Sequence, residues 1–259
     1  MAMFERLQKP FLTVETGEAY QPIRLTYGLF EKDQLIEALN KLKCCEKNPA
    51  ANSWNWFWRD ECEDLHFESL DSYKKNPEYP LRLGTLTIRE NGLFLNLPSF
   101  KRACLAVPFF HRVIASAYAQ VDHADFINKV FGLDERLPHG FSELFKEEDL
   151  AKIVEQRIHD YADVHEKVEH AKTAEEAFTI LSNYTNTETK KRLPYAERYS
   201  FQESTADPDV VFLGFYIFLR GRELVAIRRW FGETGYTLAE AAEETVEQVF
   251  GDMNIDIIE

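Results

Sequence analysis

The sequence predicts an α+β protein of two subdomains, each with antiparallel strands packed against helices, and three observations predict it. Alternating apolar residues mark strands in the first half, apolar residues recur at helical spacing in both halves, and a turn-rich stretch over 132–140 separates them. Residues 1–140 read as a β-α-β-hairpin-α unit. Residues 141–259 read as a helix, an antiparallel hairpin and a C-terminal helix.

Each element follows from its own pattern. Ile23, Leu25, Tyr27 and Leu29 alternate with Arg24, Thr26 and Gly28, the period of a half-buried strand. From Glu31, with acidic Asp33 near the start, Leu35, Ile36, Leu39 and Leu42 recur at helical spacing until Asn48-Pro49. Trp54, Trp56 and Trp58 alternate with Asn55 and Phe57, so a strand places the three tryptophans on one face. Such a ladder is either a core face against a helix or an exposed stacking and partner surface. The acidic run 60–64 and the polar, Pro-bounded run 72–80 read as surface connections.

Residues 81–118 organise the first half. Two alternating apolar strands flank Asn91-Gly92, the pair that supplies the positive φ angles of a tight hairpin turn. Pro98 stops the return strand and Ser99 offers an N-cap to an apolar helix, kinked or divided near Pro108. A short helix is expected over 125–131.

In the second half, Leu150, Val154, Ile158, Tyr161, Val164 and Val168 trace the clearest long helical stripe, over 147–171. A further helix begins near Thr173, and the polar run 183–192 is expected as an exposed loop. The apolar run 210–219 reads as a strand, with Arg220-Gly221-Arg222 turning it into a partner over 224–228. Thr237 and Glu240 make a capping box for the final helix, which sets Leu238, Ala241 and Thr245 against a ridge of glutamates. Hairpin followed by helix thus occurs twice, at 81–118 and 210–250, with poor side-chain correspondence between the two.

Composition narrows the function classes. A net charge of −14 repels nucleic-acid backbones and anionic membranes, which disfavours nucleic acid as a partner. The longest apolar run, 210–219, is about half of the roughly 20 residues that a membrane helix needs. No leader-like segment opens the sequence, so the cytoplasm is the expected compartment. Cys44, Cys45, Cys62 and Cys104 show no zinc-finger spacing and are expected as reduced, buried thiols. No dinucleotide fingerprint, phosphate loop or nucleophile elbow occurs, and no cofactor is implied.

Three groups of residues are candidate sites. Ser99, Lys101 and Arg102 put two cations at a helix start, where acids are preferred; either both long side chains extend into solvent at small cost, or an anion docks there, from a ligand or from the protein's own acidic side chains. Trp54, Trp56, Trp58, Arg228, Arg229 and Trp230 are candidates for a partner surface, although the arginines also face the glutamates of the final helix. His159, Asp163, Glu166 and His170 form a polar ridge that reads as a solvated face, and no metal site is expected. His123, with Asp122 and Asp125, lacks a nucleophile in a recognisable turn.

The expectation from these features is a non-catalytic binding or regulatory protein that contacts a protein partner or its own copy. The alternative is a transferase or hydrolase acting on a small anionic or phosphorylated substrate held near Ser99, Lys101 and Arg102.

Overall fold

Strand parity decides which side of the sheet each residue faces. The computed structural model describes residues 10–67, 80–90, 92–138, 140–145, 150–152, 162–201 and 207–250. Its strands are β1 (Ile23–Leu29), β2 (Cys45–Lys47), β3 (Ser53–Phe57), β4 (Arg82–Arg89), β5 (Gly92–Leu97), β6 (Ala119–Ile127) and β7 (Ala196–Ser200). They form one seven-stranded sheet in the order β2-β3-β4-β5-β1-β6-β7, with every pairing antiparallel.

Residues directly opposite one another share a face, and the register sorts them into rows. Trp54, Leu86, Leu95, Leu25 and Ala124 make one apolar row across five strands, all fully buried. The neighbouring row on the other face is polar: Glu46, Asn55, Thr85 and Asn96 cross β2 to β5, and Arg24, Asp125 and Arg198 carry it through β1, β6 and β7.

The helices are α1 (Lys32–Lys41), α2 (Phe100–Val113), a short α3 (Phe141–Leu144), α4 (Ala174–Glu188), α5 (Pro208–Trp230) and α6 (Leu238–Phe250); α1, α2 and α5 pack on the apolar face, α6 packs on α5, and Phe145, at the end of α3, lies over Arg24 on the polar face. The central core joins α1, α2 and α5 to the sheet, with Phe100 edge-on to Phe126 at 5.5 Å and Trp56 against Phe109 at 5.5 Å and Phe110 at 5.1 Å. The protein is therefore α+β. β7, from the second half of the sequence, completes the sheet, and Phe215 and Leu219 of α5 enter the same core.

The hairpin expected over 81–97 is present. Gly92 has φ +154°, and a Cβ there would lie 2.7 Å from the Tyr27 carbonyl oxygen, so glycine is required by close approach as well as by backbone angle. Asn91 lies outside the described residues. α2 runs through Pro108 without dividing, and the capping box of α6 forms as expected. The Glu240 N–H donates to Thr237 Oγ1 at 3.3 Å, and the Thr237 N–H to Glu240 Oε2 at 2.8 Å.

Three expectations are corrected. The hairpin over 210–228 is a single 23-residue helix, α5, capped by Asp207 and opened by Pro208. A continuous run of β-branched and aromatic residues fits a buried helix as well as a buried strand, and this helix is apolar around most of its circumference because α2, the sheet and α6 enclose it. With that hairpin goes the repeated hairpin-helix unit. Residues 125–127 end strand β6 rather than opening a helix, because Asp125 is paired to Arg198 across β7. Residues 183–188 continue α4: Thr187 donates its hydroxyl to the Asn183 carbonyl at 2.8 Å, so polar side chains are satisfied within the helix.

Of the expected 147–171 helix, residues 150–152 and 162–169 are helical and 170–171 are not; residues 147–149 and 153–161, with His159, lie outside the described residues. Among the described residues no helix is long and apolar enough to cross a membrane.

Gly221, expected in a turn, sits mid-helix against α6, where an added Cβ would meet Ala241 Cβ and Leu238 Cδ2 at an ordinary 3.9 Å. Gly221→Ala is therefore expected to stabilise the protein by about 0.5–1 kcal/mol in urea unfolding. A loss of stability would contradict the helix at this position.

Candidate functional site

The start of α2 gathers and then separates the three residues singled out for anion binding. Ser99 is fully buried and caps the helix, accepting from the Arg102 N–H at 3.2 Å and donating its hydroxyl to Glu18 Oε1 at 3.3 Å. Arg102, 1% exposed, turns to one side. Its guanidinium donates to the Arg82 and Leu83 carbonyls at 2.9 and 3.3 Å, to Thr16 Oγ1 at 3.1 Å and to Glu15 Oε2 at 3.2 Å, with Glu18 Oε1 3.7 Å away. Burial works to lower its pKa, and the Glu18 and Glu15 carboxylates oppose that. The anion that meets Arg102 is thus the protein's own.

Lys101 turns to the other side, into a cavity of about 160 Å³ between α2, α5 and the segment 11–19. Phe11, Phe100, Leu219 and Ile227 supply apolar wall; Glu18, Arg220 and Glu223 supply charge. Those charges cancel in pairs: Arg220 Nη1 lies 2.5 Å from Glu223 Oε2, and Glu18 faces Arg102. Lys101 has no ion-pair partner among the described residues, which leaves one positive charge uncompensated at the cavity wall. Cys104 also lines it, and burial, reinforced by Glu223, pushes its thiol up to about 12, so it stays protonated at neutral pH.

The partner-surface candidates take other places. Trp54 and Trp56 are fully buried core residues; their indole N–H groups donate to Asn40 Oδ1 and Cys62 Sγ, both at 2.9 Å. Trp58 is half-buried, edge-on to Phe67 at 6.4 Å. The ladder is mainly a core face. Arg228 pairs with Glu244 of α6 at 3.3 Å and with Glu233 at 3.5 Å, and Arg229 donates to the Tyr236 carbonyl at 3.2 Å. Trp230 is half-buried, its ring close enough that a Cβ on Gly132 would lie 3.3 Å away. All four cysteines are free thiols; Cys44, Cys45 and Cys62 are buried and Cys104 is half-buried.

A second polar group lies on the parity of the sheet that carries the polar row. Asp125, 3% exposed, takes both ends of the Arg198 guanidinium, at 2.6 and 3.0 Å. His123 Nδ1 lies 2.6 Å from Asp122 Oδ2, and its Nε2 3.6 Å from Asp125 Oδ2. Burial alone would lower the His123 pKa, and the two carboxylates outweigh it and raise it. The two carboxylates thus favour the protonated imidazole over the neutral one. Among the described residues, no group of three His, Cys, Asp or Glu side chains is placed to hold a metal ion.

Ser99, Lys101 and Arg102 were visible in the sequence because they contradict the preference for acids at helix starts. Glu18, Arg220 and Glu223 were not, since they come from segments some 200 residues apart and carry no joint spacing. Comparison with family models, with curated proteins and with solved structures finds no match to this chain.

The raised His123 pKa has a signed consequence. Its contribution to stability is complete below the unfolded value of 6.5 and is lost as pH rises through the higher folded value. Between about pH 6 and about pH 8 the protein should therefore lose more stability than the His123→Gln variant does. Equal losses in urea titrations at the two pH values would remove His123 as the titrating group.

Proposed function

We propose that this is a non-catalytic binding or regulatory protein whose ligand is a small molecule with one anionic group and an apolar body, held between α2 and α5. The observation that carries the reading is Lys101, a cation without an ion-pair partner among the described residues, on the wall of a cavity whose other charges are already matched. An anionic group there gains a charge-assisted contact without breaking any ion pair. The apolar wall of Phe11, Phe100, Leu219 and Ile227 then takes the rest of the ligand. A volume of about 160 Å³ suits a single ring or a short branched chain.

Binding rather than covalent chemistry is supported by Cys104, whose thiol is the nucleophile type at the wall and stays protonated. Placement of Trp54 and Trp56 in the core, and of Arg228 and Arg229 against α6 and Tyr236, draws the reading from a protein-contact surface to this cavity.

Benzoate, a ring bearing one carboxylate, is the probe. At about ten times its Kd it should add roughly 1.4 kcal/mol of stability, a melting rise of about 3–5 °C, and Lys101→Ala should abolish that rise while leaving the unliganded melting temperature in place. No rise with benzoate or with inorganic phosphate would overturn the reading.

A further inference from the structure

Over β3 to β5 the polar row of the sheet faces away from α1, α2 and α5, with Phe141 of the short α3 at its margin. On that face, between the N-terminal segment and strands β3 to β5, is a groove of about 990 Å³, several times the volume of the cavity at Lys101. Its floor is formed by Asn55, Thr85 and Asn96, which stand directly opposite one another on β3, β4 and β5. Phe57, Tyr20 and Phe141 also line it.

The chemistry of the floor is neutral, and its side chains are open to solvent. Among the described residues the side chains of Asn55 and Thr85 have no hydrogen-bond partner. Asn96 accepts from Arg24 Nε at 2.9 Å through its Oδ1, which leaves its amide N–H₂ to donate. The buried charge beside the floor, Arg102, is taken up by Glu15 and Glu18, and Arg82 stands exposed at the rim.

We propose that this groove binds a carbohydrate, as an extended run of sugar rings laid across β3, β4 and β5. An Asn amide offers a donor and an acceptor side by side, the arrangement that meets adjacent hydroxyls of a sugar, and a Thr hydroxyl does both from one atom. Neighbouring strands lie about 4.8 Å apart, so successive floor residues advance by close to the length of one sugar ring along a glycan. Aromatic rings at the walls supply flat apolar surface for the C–H faces of those rings. A polyanion is repelled by the net charge of −14. An extended peptide would find no free backbone groups on the floor, because β3, β4 and β5 are interior strands with both edges already paired.

This inference is independent of the ligand at Lys101. Cellotriose, maltotriose and chitotriose are the probes, each titrated against the full chain by saturation-transfer NMR and calorimetry. At least one trisaccharide should bind, more tightly than its own monosaccharide by about ten-fold or more. The double variant Asn55→Ala/Thr85→Ala should weaken that binding by about ten-fold or more. Thr85→Tyr, which fills the floor from a strand position that favours aromatics, should abolish it with the fold retained. Absence of binding by all three at up to about 10 mM would overturn the proposal, as would binding that both variants leave unchanged.

Discussion

A carboxylate with no access to water fixes the second half of this molecule. β7 turns Glu197 and Tyr199 toward the helices and Arg198 to the opposite face, and Glu197 is fully buried. It is matched by Arg222 of α5, whose Nε and Nη2 donate to its two oxygens at 2.8 and 3.2 Å, and by the side-chain amide of Asn128. Removing one partner of such a pair leaves a buried uncompensated charge, a loss on the order of 3–5 kcal/mol. The pair therefore sets the rotation of α5 about its axis. With Arg222 pointed at β7, Phe215 and Leu219 fall into the central core, Leu224 and Val225 meet α6, and Arg220 and Glu223 reach the cavity wall.

Arg102 plays the corresponding part at the other end of the site. Two cations in the first turn of α2 oppose the helix dipole, and for Arg102 the structure resolves the conflict by bringing Glu15 and Glu18 to it from the N-terminal segment. The same guanidinium also holds two carbonyls of β4, so the segment is fastened to the sheet as well as to the helix. Fastened there, it becomes the wall between two recesses: Glu18 lines the cavity that contains Lys101, and Glu15 lines the groove above Asn55, Thr85 and Asn96. One residue that looked like a ligand contact in the sequence is in fact what gives both recesses their shape.

Local patterns were legible where one physical rule governed them alone. The strand period at 23–29, the glycine turn at Gly92, the cap at Ser99 and the box at Thr237 and Glu240 each depend on neighbours in sequence, and each is present. The run 210–230 was not legible, because a helix enclosed on most sides loses the polar stripe that would distinguish it from a buried strand. Asp125 could not be read as a strand residue before Arg198, some 70 positions away, was known to lie opposite it. The arginines at 228 and 229 were partly legible: their glutamate counterpart on the final helix was foreseen, whereas the Tyr236 carbonyl was not. Lys101 stands out only after every neighbouring charge has been paired, which is a property of three-dimensional placement.

The two recesses differ in chemistry because strand parity sorts the residues that build them. Odd positions of β1 and β5 are Ile23, Leu25, Tyr27, Leu93, Leu95 and Leu97, and they commit one face to helix packing. The recess at Lys101 lies on the helix side, between α2, α5 and the N-terminal segment, so it is small, largely apolar, and charged through residues contributed by the helices and that segment. Even positions carry Arg24, Thr26, Phe94 and Asn96, and one row of the other face is amide, hydroxyl and charge from β3 across to β7, with an apolar cluster around Ile127, Phe145 and Ala196 at its far end. Nothing in the fold requires that row to be so polar yet so little cross-linked at Asn55 and Thr85. Arg24 with Asn96, and Asp125 with Arg198, show what the same row does when it serves stability: it pairs. The unpaired stretch of the row coincides with the groove.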